Sequence, residues 1–203
     1  MAELIEYLSN DAAASEPVSV DEVKTQARID IDDDDLFIQS VIIPGARQQA
    51  ETRTGSILRL ARFKQVLQSF PKFSQSMSIA GGNVQTVESI TYADGSGARL
   101  TLDPAMTEVV TIDRETVIAM LNGPWPLCRP GPRAVEIIYT AGLEPAVFAD
   151  RNPSVKAWIL MACAWAYAQR ETFVLQTRGS GFQELPADYM QALLEPLKLP
   201  PRW

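Results

Sequence analysis

The chain has 203 residues, 46% hydrophobic and 21% charged, with a formal net charge of −7 and no histidine. The length suits one domain, or one domain with a sizeable lobe, and the composition can build a core without staples. The acidic balance speaks against gripping nucleic acid by counterion release, and the missing histidine removes the commonest general base and transition-metal ligand.

Residues 1–18 read as an extended arm. "MAELIEYLSNDAAAS" has acids where a leader's basic segment would stand and no long apolar run after it, so a cytoplasmic location is expected. Ser19, with Glu22 three residues on, forms a capping box and opens a helix over about 20–28. Four aspartates follow, Asp32 to Asp35. Acids are favoured in a helix's first turn, where free N–H groups and the macrodipole present positive charge. Asp32 or Asp33 is therefore read as the N-cap of a second helix, about 33–54, with Leu36, Ile43, Ala46 and Ala50 at helical spacing and Gly55 ending it. Pro44 should kink that helix. A calcium loop would alternate ligands with spacers and need a glycine for its turn, and contiguous side chains on a helix diverge, so the run is a poor metal site.

The middle of the chain alternates like strands. "ILRLARFKQVLQSF" (57–70) is one. "VQTVESITYADGSGARLTLD" (84–103) is a hairpin with its turn at Asp94 to Gly97. "EVVTID" and "ETVIAML" pair around Asp113 and Arg114, and "RAVEIIYTAG" (133–142) is the last. "NGPWPLCRPGP" must be loop, and its Trp125 is expected to be exposed. A third, long helix starts at Asn152 with Pro153 in its first turn. It is apolar around most of its girth, so burial on most sides is expected, against its own domain and against a neighbour. Its longest apolar stretch, Ala157 to Ala168, is short of the roughly 20 residues a membrane span needs. A loop over 176–183, a short helix from about 187 and the tail "LPPRW" complete the chain.

The implied class is α+β: a helical bundle (19–56 and 150–197) with an inserted antiparallel β lobe (57–149) and a tail at 198–203.

No nucleotide-binding, hydrolase or zinc-protease motif occurs. "GSGAR" and "RGSGF" read as turns rather than phosphate cradles. Cys128 and Cys163 are too few for a zinc site and are expected to have no chemical role. The 25 acids leave a carboxylate-dependent hydrolase open, but nothing singles out a pair. No catalytic, cofactor-binding or metal residue is assigned. The residues proposed for an interface are Asp33, Asp34, Trp158, Trp165, Tyr189 and Trp203. Trp158 and Trp165 lie seven apart, near one face of the long helix, where core is the competing use. Trp203 has no local core to enter.

Three segments in this order carry a family likeness. "VSVDEVKTQARIDIDDDDLFIQSVIIPGARQQAETRTGSIL", "VQTVESITYADGSGARLTLDP" and "VEIIYTAGLEPAVFADRNPSVKAWILMACAWAYAQRE", closed by "ELPADYMQALLEPLK", resemble the head–tail connector (adaptor or head-completion) proteins of tailed phages over about residues 17–198. One departure is "IIPGAR", where that family more often has a run of alanines. The resemblance implies a non-enzymatic virion protein with no cofactor. It would form a ring, often about twelvefold, beneath the portal. The ring would extend the DNA channel, let DNA pass without sequence-specific binding, and seat a tail-completion or head-closure protein. It implies location in the virion neck, with assembly in the bacterial cytoplasm. Under that reading, outward aspartates of the run line the channel or meet a neighbouring subunit. Another virion structural protein, such as a tail-completion protein, is the nearest alternative.

Overall fold

The structure, a computed structural model, describes residues 3–9, 16–112, 114–169 and 187–199. These divide into two units. One takes 3–9, 56–112, 114–143 and Leu199; the other takes 16–55, 144–169 and 187–198. The class is α+β, with a large share of antiparallel sheet.

The β unit holds β1 (Glu3–Ser9), β2 (Ala61–Leu67), β3 (Ser76–Ile79), β4 (Val84–Ala93), β5 (Arg99–Thr101), β6 (Thr107–Ile112), β7 (Glu115–Met120) and β8 (Val135–Ala141). They form a five-stranded sheet, β1-β2-β8-β4-β5, and a three-stranded sheet, β3-β7-β6. In β8, Val135, Ile137, Tyr139 and Ala141 are buried in strict alternation; Ile118 and Met120 of β7 alternate likewise. The two inner faces share one core, which period-two patterning produces when each sheet has one dry side. The buried Gln65 side chain ties the sheets together. Its amide donates to the Ser78 carbonyl at 3.1 Å, and its oxygen accepts from Ala80 N–H at 2.9 Å. The Tyr139 hydroxyl donates to the Ala80 carbonyl at 3.1 Å.

Residues 3–9 are not a free arm: β1 pairs antiparallel with β2, in register from Glu3 opposite Leu67. The Glu6 carboxylate there accepts from Lys64 and Arg133. The 94–97 turn forms as read. Asp94 accepts from Ser96 N–H at 2.8 Å and Ala98 N–H at 2.9 Å, and Gly97 takes φ 92°. Gly142, at φ 98°, passes so close to the Arg59 carbonyl that a Cβ would sit 2.2 Å from its oxygen. Only glycine fits both demands.

The helical unit holds α1 (Val20–Ala27), α2 (Asp35–Phe37), a π turn (Ile38–Ile42), α3 (Ile43–Thr54), α4 (Pro145–Arg151), α5 (Pro153–Ala168) and α6 (Ala187–Ala192). The capping box forms as read: Glu22 N–H donates to Ser19 Oγ at 3.2 Å, and Ser19 N–H to the Glu22 carboxylate at 3.0 Å. Gly55 closes α3 at φ 73°. Two expectations are corrected, the start of the second helix and the end of the β lobe. The second helix starts at Asp35, later than 33, with Asp34 at the N-cap position and no side-chain capping bond. At Pro44, where a kink is expected, a π turn stands just ahead, and Ile43 N–H reaches back five residues to the Ile38 carbonyl. Proline lacks an N–H and its ring crowds the carbonyl four residues back, so wider winding relieves both. Helix α4 lies where the sequence reading placed the end of the β lobe.

Candidate functional site

Two aspartates of the run share one lysine and a third meets a tyrosine. Lys24 of α1 donates to Asp32 and, at 2.9 Å, to Asp35. Its hydrogen bond to Asp32, then that to Asp35, holds the ammonium's pKa above the usual lysine range, and the same bond holds Asp32 below the usual carboxylate value. Asp34 accepts from the Tyr167 hydroxyl of α5 at 2.5 Å. Its carboxylate thus orients α5 instead of capping its own helix. Asp33 is exposed and makes no ion pair among the described residues. The four carboxylates do not converge. Among the described residues, no group of three or more His, Cys, Asp or Glu is placed to hold a metal ion.

The π turn decides which apolar residues face outward. Ile38, Ile42, Ile43, Ala46, Ala50 and Thr54 are buried. Leu36, read from sequence as part of the core stripe, is 78% exposed, and Phe37 and Val41 are exposed beside it. One extra residue per turn shifts the helical phase, so the apolar run "LFIQSVII" serves two faces.

Helix α5 is covered on only part of its girth within the chain. Val155, Trp158, Ile159 and Cys163 are buried, but Trp165 is 69% exposed and much of the remaining girth is only half-buried. Trp158 is therefore core rather than surface, at 3% exposure, with the Arg53 guanidinium 5.7 Å from its ring centroid. The two tryptophans share a face by spacing. Two helical turns, about 10 Å, separate them, and that rise carries Trp165 clear of the packing that covers Trp158. Tyr189 of α6 is 52% exposed. Trp203 and the "RGSGF" stretch lie outside the described residues. Burial pushes the Cys163 thiol up to about 12.

Trp125 is not exposed, contrary to its proline-flanked context. It is 8% exposed and stacks on Phe70, with centroids 4.9 Å apart and planes at 11°. Its indole N–H donates to the Ser74 carbonyl at 3.1 Å. Two further bonds lace the same loops: Met120 N–H to Gln75 O at 2.8 Å and Gly131 N–H to Gln68 O at 3.1 Å. On these pinned loops stand Phe73, fully exposed, and Leu127, 85% exposed. Neither was singled out from the sequence. A side chain's exposure in a loop depends on which distant loop packs against it.

A shallow depression on α3 is lined by Gly45, Gln48, Gln49, Thr52 and Arg53 and contains no carboxylate. The geometry on offer is apolar and aromatic surface beside acids, the chemistry of protein contacts.

Comparison with known proteins agrees with the family likeness read in the sequence. Residues 17–93 match the family described as Phage gp6-like head-tail connector protein. No curated protein matches the chain. Among solved structures, a chain in the neck of an empty GTA particle computed with C6 symmetry is similar at TM-score 0.75 and 18% identity, over 98% of this chain and 97% of that one. A chain in the virion of the native gene transfer agent (GTA) particle gives the same values. One in the neck of the native GTA particle computed with C12 symmetry gives TM-score 0.72 at 18% identity, with the same coverage.

Proposed function

We propose that this chain is a structural subunit of a phage or phage-like particle neck, forming a ring under the portal that joins head to tail. The observation that carries this reading is the match of residues 17–93 to head–tail connector proteins. Fold likeness to neck chains along 98% of the sequence supports it. The ring has about twelve copies, extends the DNA channel, and is completed on its other face by a tail-completion or head-closure protein. The helical bundle carries the β lobe as an insertion. The chain is made and assembles in the bacterial cytoplasm. Its work is binding, not catalysis.

Physical features fit that role. A channel wall must not hold DNA, and a chain of net charge −7 repels phosphate. Exposed Trp165 and Tyr189 are aromatic anchors of the kind enriched at interfaces, and Asp33 is free to meet a basic neighbour or face the channel. Trp203 is assigned to a contact of the same kind. Asp34 and Trp158 act within the chain, positioning α5 and α3.

The test is deletion of the gene from a producing cell, with complementation. DNA-filled heads without tails, or heads that leak DNA, are expected, and the wild-type gene should restore infectious or DNA-transferring particles. Normal particles with intact necks in its absence would overturn the proposal.

A further inference from the structure

A closed ring requires two different, complementary patches on every copy, because a head-to-tail contact uses one surface of each partner. The described residues present two apolar patches of opposite electrostatic character, one in each unit.

The first is on the loops that Trp125 pins together. Phe73 and Leu127 are its exposed apolar residues. Lys72 adjoins Phe73 in the chain and Arg129 follows Leu127 by two residues, with its guanidinium near Gly97 of the β4–β5 turn; both are exposed and make no ion pair among the described residues. Neither loop contains an acid: "QSFPKFSQ" (68–75) and "MLNGPWPLCRPGP" (120–132) carry only these two charges. Three hydrogen bonds and a stacked ring pair hold the loops together, so little conformational entropy is lost when they dock.

The second patch is the outward face made by the π turn. Leu36 and Phe37, just ahead of the π turn, and Val41 within it are its apolar residues. Asp30 and Asp33 precede it in the chain, exposed and without an ion pair among the described residues. A π turn displayed at a surface is a feature that recurs at functional sites.

We infer that Phe73 and Leu127 of one copy seat on the Leu36, Phe37 and Val41 face of the next, with Lys72 and Arg129 opposite Asp30 and Asp33. The inference rests on the ring reading above and names the surfaces that build it. Apolar contact supplies the attraction. The charges select this pairing over like with like, since two acidic faces or two basic loops repel. A heterologous junction of this kind repeats until it closes.

The test uses full-length chain with Cys128→Ser; Cys163 is fully buried and stays. Copies carrying Phe73→Cys are mixed with copies carrying Leu36→Cys at high concentration and treated with a short bismaleimide. Both sites are exposed, so both variants keep the fold. Cross-linked dimer is expected at least tenfold above that from either variant alone, and the double variant should give a ladder. Lys72→Glu with Arg129→Glu on the first copy should abolish the excess, and Asp30→Lys with Asp33→Lys on the second should restore it. Equal yields from like and unlike pairs, or charge reversal without effect, would overturn the pairing. Electron microscopy of necks from producing cells separates the two failures. Rings of this chain without the cross-link overturn only the surface assignment, whereas necks without such rings overturn the ring reading and the pairing together.

Discussion

Trp125 sets the conformation of the loop end of the β unit. Its ring stacks on Phe70 and its N–H satisfies the Ser74 carbonyl, so Trp125→Ala removes area, stacking and a hydrogen bond at once. A loss of about 3–5 kcal/mol is expected from urea unfolding, as for other buried large-to-small changes. A change within about 0.5 kcal/mol would place the ring at the surface after all. Charges give a second expectation. Hydrogen bonds from Lys24 to Asp32, from Arg62 to Glu88 and from Ser96 to Asp94 lower these carboxylates below their ordinary values of 3.8 for aspartate and 4.5 for glutamate. A depressed carboxylate contributes stability that is present above its unfolded pKa and lost as pH falls through its folded one. With no histidine in the chain, little else titrates near neutrality. The urea midpoint should therefore be flat from about pH 6 to 8 and fall below about pH 4. A midpoint that moved between pH 6 and 8 would contradict this account. At this scale the sequence was least legible. Trp125 is covered by a loop some fifty residues away, and Asp34 meets Tyr167 across 133 positions; neighbours in sequence reveal neither.

Among elements, those with complete local signals were legible. The capping box fixes the start of α1, Gly55 the end of α3, and the Asp94 turn the β4–β5 hairpin. Each satisfies its own backbone within a few residues. Ser19→Ala should consequently cost about 1 kcal/mol, measured by denaturation, because Glu22 N–H loses its acceptor. No measurable loss would mean that the cap contributes nothing beyond water. Elements defined by partners were missed. Strand β1 looks like a polar arm until β2 lies beside it, and β3 is only four residues long. The π turn escaped for another reason. "LFIQSVII" is apolar enough to satisfy more than one helical phase, so periodicity alone could not assign Leu36 to solvent.

Across the whole molecule, charge is unevenly distributed. Among the described residues, the helical unit contains thirteen acids and seven bases, and the β unit eight of each. Nearly all of the net charge thus belongs to the helical unit. In the proposed ring, that acid would keep free copies apart and keep DNA from adhering. If copies assemble on a portal as proposed, many simultaneous contacts there would supply the binding. Light scattering at micromolar concentration should accordingly find mostly monomer, and a tight dimer with two-fold symmetry would oppose the head-to-tail scheme. The most direct measurement is electron cryomicroscopy of necks from particles that package this chain. The account predicts a closed ring of its copies between portal and tail, with the channel open and the apolar faces covered at the subunit junctions. A neck that is complete without this chain, or one holding it only as isolated copies off the axis, would contradict it.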